Sequence, residues 1–417
     1  MKKQLLTAGL ALAAFSLSAV ESMAADVYTK CNWLNDATSA VSFTFDDGLP
    51  NQFSKALPIL DKYGFKGTFF IVTDWATRDD IWQTLKEMSE NGHEIASHTL
   101  THPSVAGTRE LTESKAIIEQ KIGKPCLTIA YPYCNFPSDE EALEENYIAG
   151  RVCNLNDNMV SPITRDMYNL ASFMTGTESA IRTSEDFTNR LSKAYQKKEW
   201  CAFLIHEVDG DGYSSTKASD LRSAMSYLST YVKRNRYWVG TYAEIAQYIK
   251  ENTSTKVTEV SADADSFVVS LTNSLDTALY FSPLTVKRTM PDGWAQVSAT
   301  QDGREIKTWV SGSTLYFNAV PNRGDVVIRV TETTRVRQLS QDLNDEPATV
   351  SFSNDGITVI SEMPVSSLQL SDLSGRTVRS SEGESFMPVG NIPPGNYMLG
   401  ITLQDGSACA KKLFLSR

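Results

Sequence analysis

The chain has four histidines in 417 residues, and three of them, His93, His98 and His102, fall within ten positions of one another. His98 and His102 have i, i+4 spacing, which on a helical turn puts both imidazoles on one face. Well upstream, Val41-Ser42-Phe43-Thr44-Phe45-Asp46-Asp47-Gly48 alternates apolar and polar residues like a strand and ends in two adjacent carboxylates. Gly48 lets the chain turn sharply where the acids emerge. Two imidazoles and one carboxylate make the facial set that holds a catalytic divalent metal and leaves positions open for water and substrate. Consecutive strand residues point opposite ways, so one of Asp46 and Asp47 faces the metal more easily than the other, and the two differ in role. The bland alternative is a pair of surface histidines on a helix, and the acidic strand end weighs against it. A bound divalent cation acidifies water and polarises a carbonyl, which suits hydrolysis of an amide or ester.

These residues need a frame. From Val41 to about Lys250, strand-like and helix-like segments alternate. Asn51–Tyr63 reads as a helix closed by Gly64, and Gly67–Val72 as a strand. Asp80–Glu90 is a helix ended by Asn91-Gly92, and His93–Ser97 a strand. Thr108 is the expected cap of a helix stopping at Gly123, and Leu127–Tyr131 is a strand. Asp139–Asn146 is helical and Tyr147–Cys153 extended. Ser184 is the expected cap of a helix to Lys197, and Trp200–Ile205 is a strand ending at His206. Ser219–Lys233, Tyr237–Val239 and Thr241–Lys250 complete the series as helix, strand and closing helix. Such βα units predict a parallel sheet with helices outside, and chemistry at the carboxyl ends of its strands.

Four stretches come in an informative order: Thr44-Phe45-Asp46-Asp47-Gly48, His98-Thr99-Leu100-Thr101-His102, Ala130-Tyr131-Pro132-Tyr133 and Leu204-Ile205-His206. Together they resemble the successive motifs of polysaccharide deacetylases of the NodB-homology type, carbohydrate esterase family 4, over residues 40 to 250. The first two are highly specific together, the later two less so. The resemblance implies an irregular (β/α) barrel and a divalent metal held by Asp47, His98 and His102. Zn²⁺ is the first choice, and Co²⁺, Mn²⁺ or Fe²⁺ suit the same ligands. It also implies Asp46 as general base, the Tyr133 backbone N–H as oxyanion donor and His206 as the acid that protonates the leaving group. His93 follows Asn91-Gly92 and reads as structural.

The third stretch departs from the family. An arginine that partners the catalytic base is expected near its start, and Ala130 stands there. Arg151, at another expected strand end, is the candidate replacement. The family's acid-orienting aspartate has no clear counterpart, and Asp157 and Asp166 remain unranked. The implied activity is removal of acetyl groups from a glycan, with N-acetylglucosamine polymers or oligomers ahead of acetyl-xylan. A small-molecule C–N hydrolase on the same fold is an alternative. So is a glycan-binding surface protein without activity, which the absent arginine favours and the intact Asp46, Asp47, His98, His102 and His206 oppose. The acidic turn Glu207–Tyr213 could suggest calcium but lacks a full binding-loop spacing, so it reads as a substrate-lining turn. Trp75, Trp82 and Tyr213 are either sugar-stacking or core.

The chain begins with Met1-Lys2-Lys3, an apolar run to Val20 and Ser22-Met23-Ala24, the pattern of an export signal over residues 1–24. No other stretch could span a bilayer. Net charge is −11 without a dense basic run, which argues against nucleic acid and strongly anionic polymers and is compatible with neutral glycans. Six cysteines, at 31, 126, 134, 153, 201 and 409, lack any CxxC spacing and permit disulfides whose pairing the sequence does not choose. The deacetylase-like domain is set at residues 27–250. Glu251–Lys256 reads as a linker to an all-β sandwich over 257–335 with short alternating strands. After the polar stretch Gln338–Glu346, residues 347–417 resemble the C-terminal sorting domain of type IX secretion substrates, which implies secretion machinery as a partner. A further Ig-like domain is the alternative.

Overall fold

A computed structural model describes residues 27–153, 158–291, 294–333, 348–352, 356–361 and 363–415. The expected export signal, Asp157 and the stretch Gln338–Glu346 lie outside them. A short strand β1 (Thr29–Lys30) precedes β2 (Ser39–Asp46), which is buried along its whole length. Both faces of β2 are covered, and its alternating residues take different surroundings. Val41, Phe43 and Phe45 join the core beneath the surrounding helices. Ala40 joins the second core, inside the barrel, and Ser42 and Thr44 follow it on the same face. Asp46 continues that inward row at the strand's carboxyl end.

The strands β3 (Thr68–Ile71), β4 (Glu94–Ser97), β5 (Thr128–Ala130), β6 (Ala149–Cys153), β7 (Leu170–Met174) and β8 (Trp200–Ile205) follow one another in the sheet. Strand β2 then pairs with β8 on one side and β3 on the other, Phe45 lying opposite both Ile205 and Phe69. Seven parallel strands thus close into a (β/α) barrel. The closure is irregular, because β9 (Tyr237–Val239) pairs with the first residues of β2, where β3 does not reach. The interior is lined by small residues, Ala96, Ala130, Ala149 and Ala202, around Trp200 and Phe70.

The helical shell comprises α1 (Leu57–Tyr63), α2 (Thr73–Arg78), α3 (Trp82–Glu90), α4 (Thr108–Ile122), α5 (Glu140–Asn146), α6 (Ser184–Lys197), α7 (Ala218–Val232) and α8 (Tyr242–Ser254). A π-helical turn, Gln52–Ala56, leads into α1, and Gly64 ends it in a left-handed conformation. Two expected caps differ. Gly107 precedes α4, and Thr108 is already its first helical residue. Thr183, not Ser184, caps α6, through a reciprocal box with Asp186 that satisfies two backbone donors. Strand β7 and helix α2 carried no strong period and were not foreseen.

The expected linker after Lys250 is absent. Helix α8 runs on to Ser254, and β10 (Lys256–Ala262) begins almost at once. The polar residues suggested a loop, but Glu251 and Asn252 are buried. Glu251 Oε2 accepts from Ser282 N at 2.8 Å, and Asn252 Nδ2 donates to Cys31 O at 3.1 Å. Tertiary contact thus overrides local polarity. A β-sandwich follows with β11 (Ser266–Thr272), β12 (Leu284–Thr289), β13 (Trp294–Gln301), β14 (Arg304–Glu305), β15 (Thr308–Ser311), β16 (Thr314–Ala319) and β17 (Val326–Thr333). Its sheets run β1-β12-β16-β15 and β10-β11-β17-β13-β14. Because β1 sits in the first sheet, the chain enters the sandwich before it builds the barrel, and residues 27–333 fall in one compact unit.

The second unit holds β18 (Ala348–Phe352), β19 (Gly356–Ser361), β20 (Val365–Asp372), β21 (Thr377–Glu382), β22 (Phe386–Pro388), β23 (Gly395–Leu403) and β24 (Ala408–Leu415). They form a three-stranded and a four-stranded antiparallel sheet around Leu368, Leu370, Leu399 and Ile401. The extra all-β sheets after the barrel agree with the expected architecture.

Candidate active site

Asp46 is the last residue of β2, and Asp47 follows with φ +77°. That left-handed step breaks the strand's alternation, so both carboxylates turn toward one cleft instead of opposite sides. Gly48, at φ +75°, completes the turn. His98 follows β4, and its Nδ1 lies 2.8 Å from the Ala130 carbonyl. A carbonyl only accepts, so Nδ1 carries the hydrogen and the Nε2 lone pair faces the cleft. The His98–His102 stretch is not helical. Thr99 and His102 both have positive φ, +67° and +64°, and this loop, not a helical face, brings the two rings to 5.0 Å between centroids. Glu110 braces it by accepting from the backbone N–H groups of Leu100 and Thr101 at 2.9 and 2.8 Å.

Asp47 Oδ1 lies 3.6 Å from His98 Nε2 and 3.7 Å from His102 Nε2. Ligand atoms of the three residues lie within 4.8 Å of one another, and among the described residues no other His, Cys, Asp and Glu group has such spacing. Asp47 Oδ1 is buried with no hydrogen-bond partner. Burial first, and then the charge of Asp46, push the Asp47 carboxyl up to about 7. Burial likewise pulls His98 down to about 4 and lowers His102, which leaves both imidazoles neutral. An orphaned carboxylate oxygen facing two neutral imidazoles is a donor set that fits a divalent cation. Such a cation would also stabilise the Asp47 charge that its surroundings resist.

Beside the trio stands a charge pair drawn from strands far apart in sequence. Arg151, 2% exposed, donates from Nη2 to Asp46 Oδ2 at 2.5 Å and from Nη1 to Thr44 Oγ1 at 3.0 Å. The guanidinium packs over the Phe70 ring, 4.9 Å from its centroid. Gly150 makes room for this strand, since a Cβ there would lie 1.7 Å from the Tyr131 hydroxyl. Burial alone would raise the Asp46 carboxyl, but Arg151, with His98 and His206, outweighs it and holds it below the ordinary value. Asp46 Oδ1 is buried without a partner, so one oxygen is anchored and the other has lone pairs to spare.

His206, just past β8, places Nε2 4.0 Å from Asp46 Oδ2. Its Nδ1 is buried without a partner, and among the described residues no aspartate orients the ring. Asp166 instead accepts from Tyr168 N at 3.2 Å. Burial lowers the His206 pKa, against the opposing pull of Asp46. Tyr133 has φ +54° in the turn after β5. Its ring, 66% exposed, lies edge-on to His102 at 4.8 Å. Cys134 and Cys153 are disulfide-bonded and clamp that turn to the end of β6, close to Arg151. Trp75 lies 5.2 Å from the His102 ring, and Tyr213 meets His206 edge-on at 5.0 Å. Trp82 is core.

Outside the cleft, His93 Nδ1 accepts from Gly67 N and its Nε2 faces Asp61, each at 3.1 Å, so it ties helix α1 to the segment entering β3. The acidic turn is tied to the start of α7, with Asp209 Oδ1 accepting from Ala218 N at 2.9 Å. Sequence reasoning missed Gln52, which is fully buried and bonded to both Asp46 and His206. The available signal was a polar residue in register with Ala56, Ile59 and Leu60 on the buried side of a helix.

Carboxylates and imidazoles gathered at the carboxyl end of a closed parallel barrel form a site whose donor set suits metal-assisted hydrolysis. The comparisons point the same way: residues 35–147 match the family model for polysaccharide deacetylase. A gellan lyase from a Bacillus species is 28% identical over 326 residues, 71% of this chain and 13% of that protein. A chitooligosaccharide deacetylase from a Bradyrhizobium strain is 35% identical over 71 residues, 16% of this chain and 31% of that one. The chain therefore spans well under half the length of these curated relatives. Among solved structures, a family 4 acetyl xylan esterase from Clostridium thermocellum aligns over 50% of this chain and 90% of its own, with 20% identity and a TM-score of 0.36.

Proposed function

We propose that this protein is a metal-dependent deacetylase of an acetylated glycan, with N-acetylglucosamine polymers or oligomers as the favoured substrate and O-acetylated xylan second. The observation that carries the reading is the anchored Asp46–Arg151 pair facing the Asp47, His98 and His102 trio. Relatives named for chitooligosaccharide and peptidoglycan-N-acetylglucosamine deacetylation support the substrate class. Asp47, His98 and His102 would hold the cation, with Zn²⁺ as first choice. When bound, it supplies Lewis acidity that stabilises developing negative charge on the acyl oxygen and acidifies water.

The chain's own residues do the rest. Asp46, kept ionised by Arg151, takes the proton of the attacking water on its unanchored Oδ1. The Tyr133 backbone N–H donates to the oxyanion as the tetrahedral centre forms. His206, in its protonated form, gives its proton to the departing nitrogen or oxygen. Its lowered pKa makes that imidazolium a stronger acid than an ordinary histidine. Export belongs to the same reading, supported by the charged, apolar and small-residue pattern of residues 1–24. Secretion through the carboxyl-terminal domain is supported only by the resemblance of residues 347–417.

The test measures acetate release from chitooligosaccharides, peptidoglycan and acetyl-xylan, with metal content determined on the same preparation. Asp46→Asn serves as the inactive reference. Release by the wild type alone, with cation bound, supports the reading and identifies the substrate. Cation bound without release from any of the three points to a small-molecule hydrolase, and no cation after reconstitution overturns the site.

A further inference from the structure

Gln52 opens the π-helical turn that follows the Asp46-Asp47-Gly48 turn, and none of its surface is exposed. Its Nε2 donates to two backbone carbonyls, that of Asp46 at 2.5 Å and that of His206 at 2.9 Å. The β2–β8 ladder ends at Phe45 opposite Ile205, one residue short of both. The Gln52 amide thus carries the seam one step beyond the sheet, where the proposed base and acid leave it.

The amide has only one workable orientation, because reversing it would set Oε1 against two carbonyl oxygens. In that orientation Oε1 is buried without a partner. An orphaned buried acceptor lowers stability, and an apolar side chain of similar volume would fill the space without that cost. A leucine would, however, leave the two strand ends untied. The π-helical turn fits the same picture, since such local widenings occur where a side chain is aimed out of α-helical register.

We propose that Gln52 is a positioning residue that fixes the separation of Asp46 and His206, whose side chains stand 4.0 Å apart at Oδ2 and Nε2. Holding both strand ends on one amide keeps the proton acceptor and the proton donor in register across a single acyl group. The inference rests on the deacetylase reading, in which these two residues act in turn.

The experiment compares kcat, KM, cation content and thermal midpoint for wild type, Gln52→Leu, Gln52→Glu and Asp46→Asn. Gln52→Leu should lower kcat about 10- to 100-fold, with KM within about twofold and cation content unchanged. Gln52→Glu keeps the shape and can donate one hydrogen when protonated, so its kcat relative to wild type should rise as pH falls. If Gln52→Leu does not fold, that pH-dependent ratio carries the test. Unchanged kcat in Gln52→Leu, a loss explained by missing cation, or a flat Gln52→Glu ratio overturns the proposal. Asp46→Asn separates the two layers. A wild type no faster than Asp46→Asn removes the deacetylase reading and this inference with it, whereas a fast wild type matched by Gln52→Leu removes this inference alone.

Discussion

Replacing Arg151 with methionine should weaken Asp46, the proposed base, at neutral pH while leaving the barrel and the cation trio in place. Asp46 is 2% exposed, and burial is the largest influence on its carboxyl, directed upward. Arg151, bonded at 2.5 Å, is the first of the charges that reverse that influence. Two unit charges about 4 Å apart at an effective dielectric of about 20 interact by about 4 kcal/mol. Losing that pairing leaves burial to raise the carboxyl. A cation in the neighbouring trio would oppose part of this rise, so the expected loss of kcat near pH 7 is about 10- to 100-fold rather than complete.

The assay is kcat for acetate release across pH, with cation content measured beside it. Activity of Arg151→Met should recover as pH rises, because the carboxyl regains its charge, and the cation should stay bound. Arg151→Lys should fall between the two, since an ammonium can answer Asp46 but cannot span Thr44 and Asp46 with a planar fork. A variant with wild-type kcat and an unmoved pH profile would refute the claim that this guanidinium sets the state of the base.

Removal of the cation with a chelator should abolish acetate release and lower the unfolding free energy by about 3 kcal/mol relative to protein at one hundred times its Kd, with both restored by Zn²⁺. Retained activity in fully stripped protein would exclude the metal-dependent mechanism. Glu251 is held up at about 8 by burial, so the folded chain keeps a proton that an unfolded glutamate releases near pH 4.3. Stability contributed by that proton is therefore present at low pH and lost as pH rises from about 4.5 to about 8, on the order of 2–4 kcal/mol. Denaturant titrations should show Glu251→Gln losing this slope, and a parallel slope in the variant would contradict the assignment. The Cys134–Cys153 bridge spans 19 positions, so the double serine variant should lose about 3 kcal/mol of unfolding free energy. Because the bridge tethers the Tyr133 turn, kcat should fall as well, and full activity in the double variant would show that the turn holds itself.

By itself the sequence determined the alternation of strands and helices, because burial against two faces imposes a period of 2 on β2 and about 3.6 on helices such as α4. It also placed Asp46, Asp47, His98 and His102 at the ends of such elements, since turn residues and polar clusters mark where a strand leaves the sheet. It showed an arginine missing at Ala130 and another at Arg151. That these two facts concern one place was decided by the barrel, which sets Ala130 opposite Arg151 on adjacent strands and turns the guanidinium onto Asp46, 105 positions away. Local pattern carries no information about contacts so distant in the chain, because closure is a property of all seven strands together. The same holds for the left-handed steps at Asp47, Thr99 and His102, which replace the expected helical face of the histidines. It holds too for Gln52 and Glu251, polar residues that read locally as surface or linker. Their burial is tolerated because backbone groups from remote segments meet them, and only the tertiary structure supplies those partners.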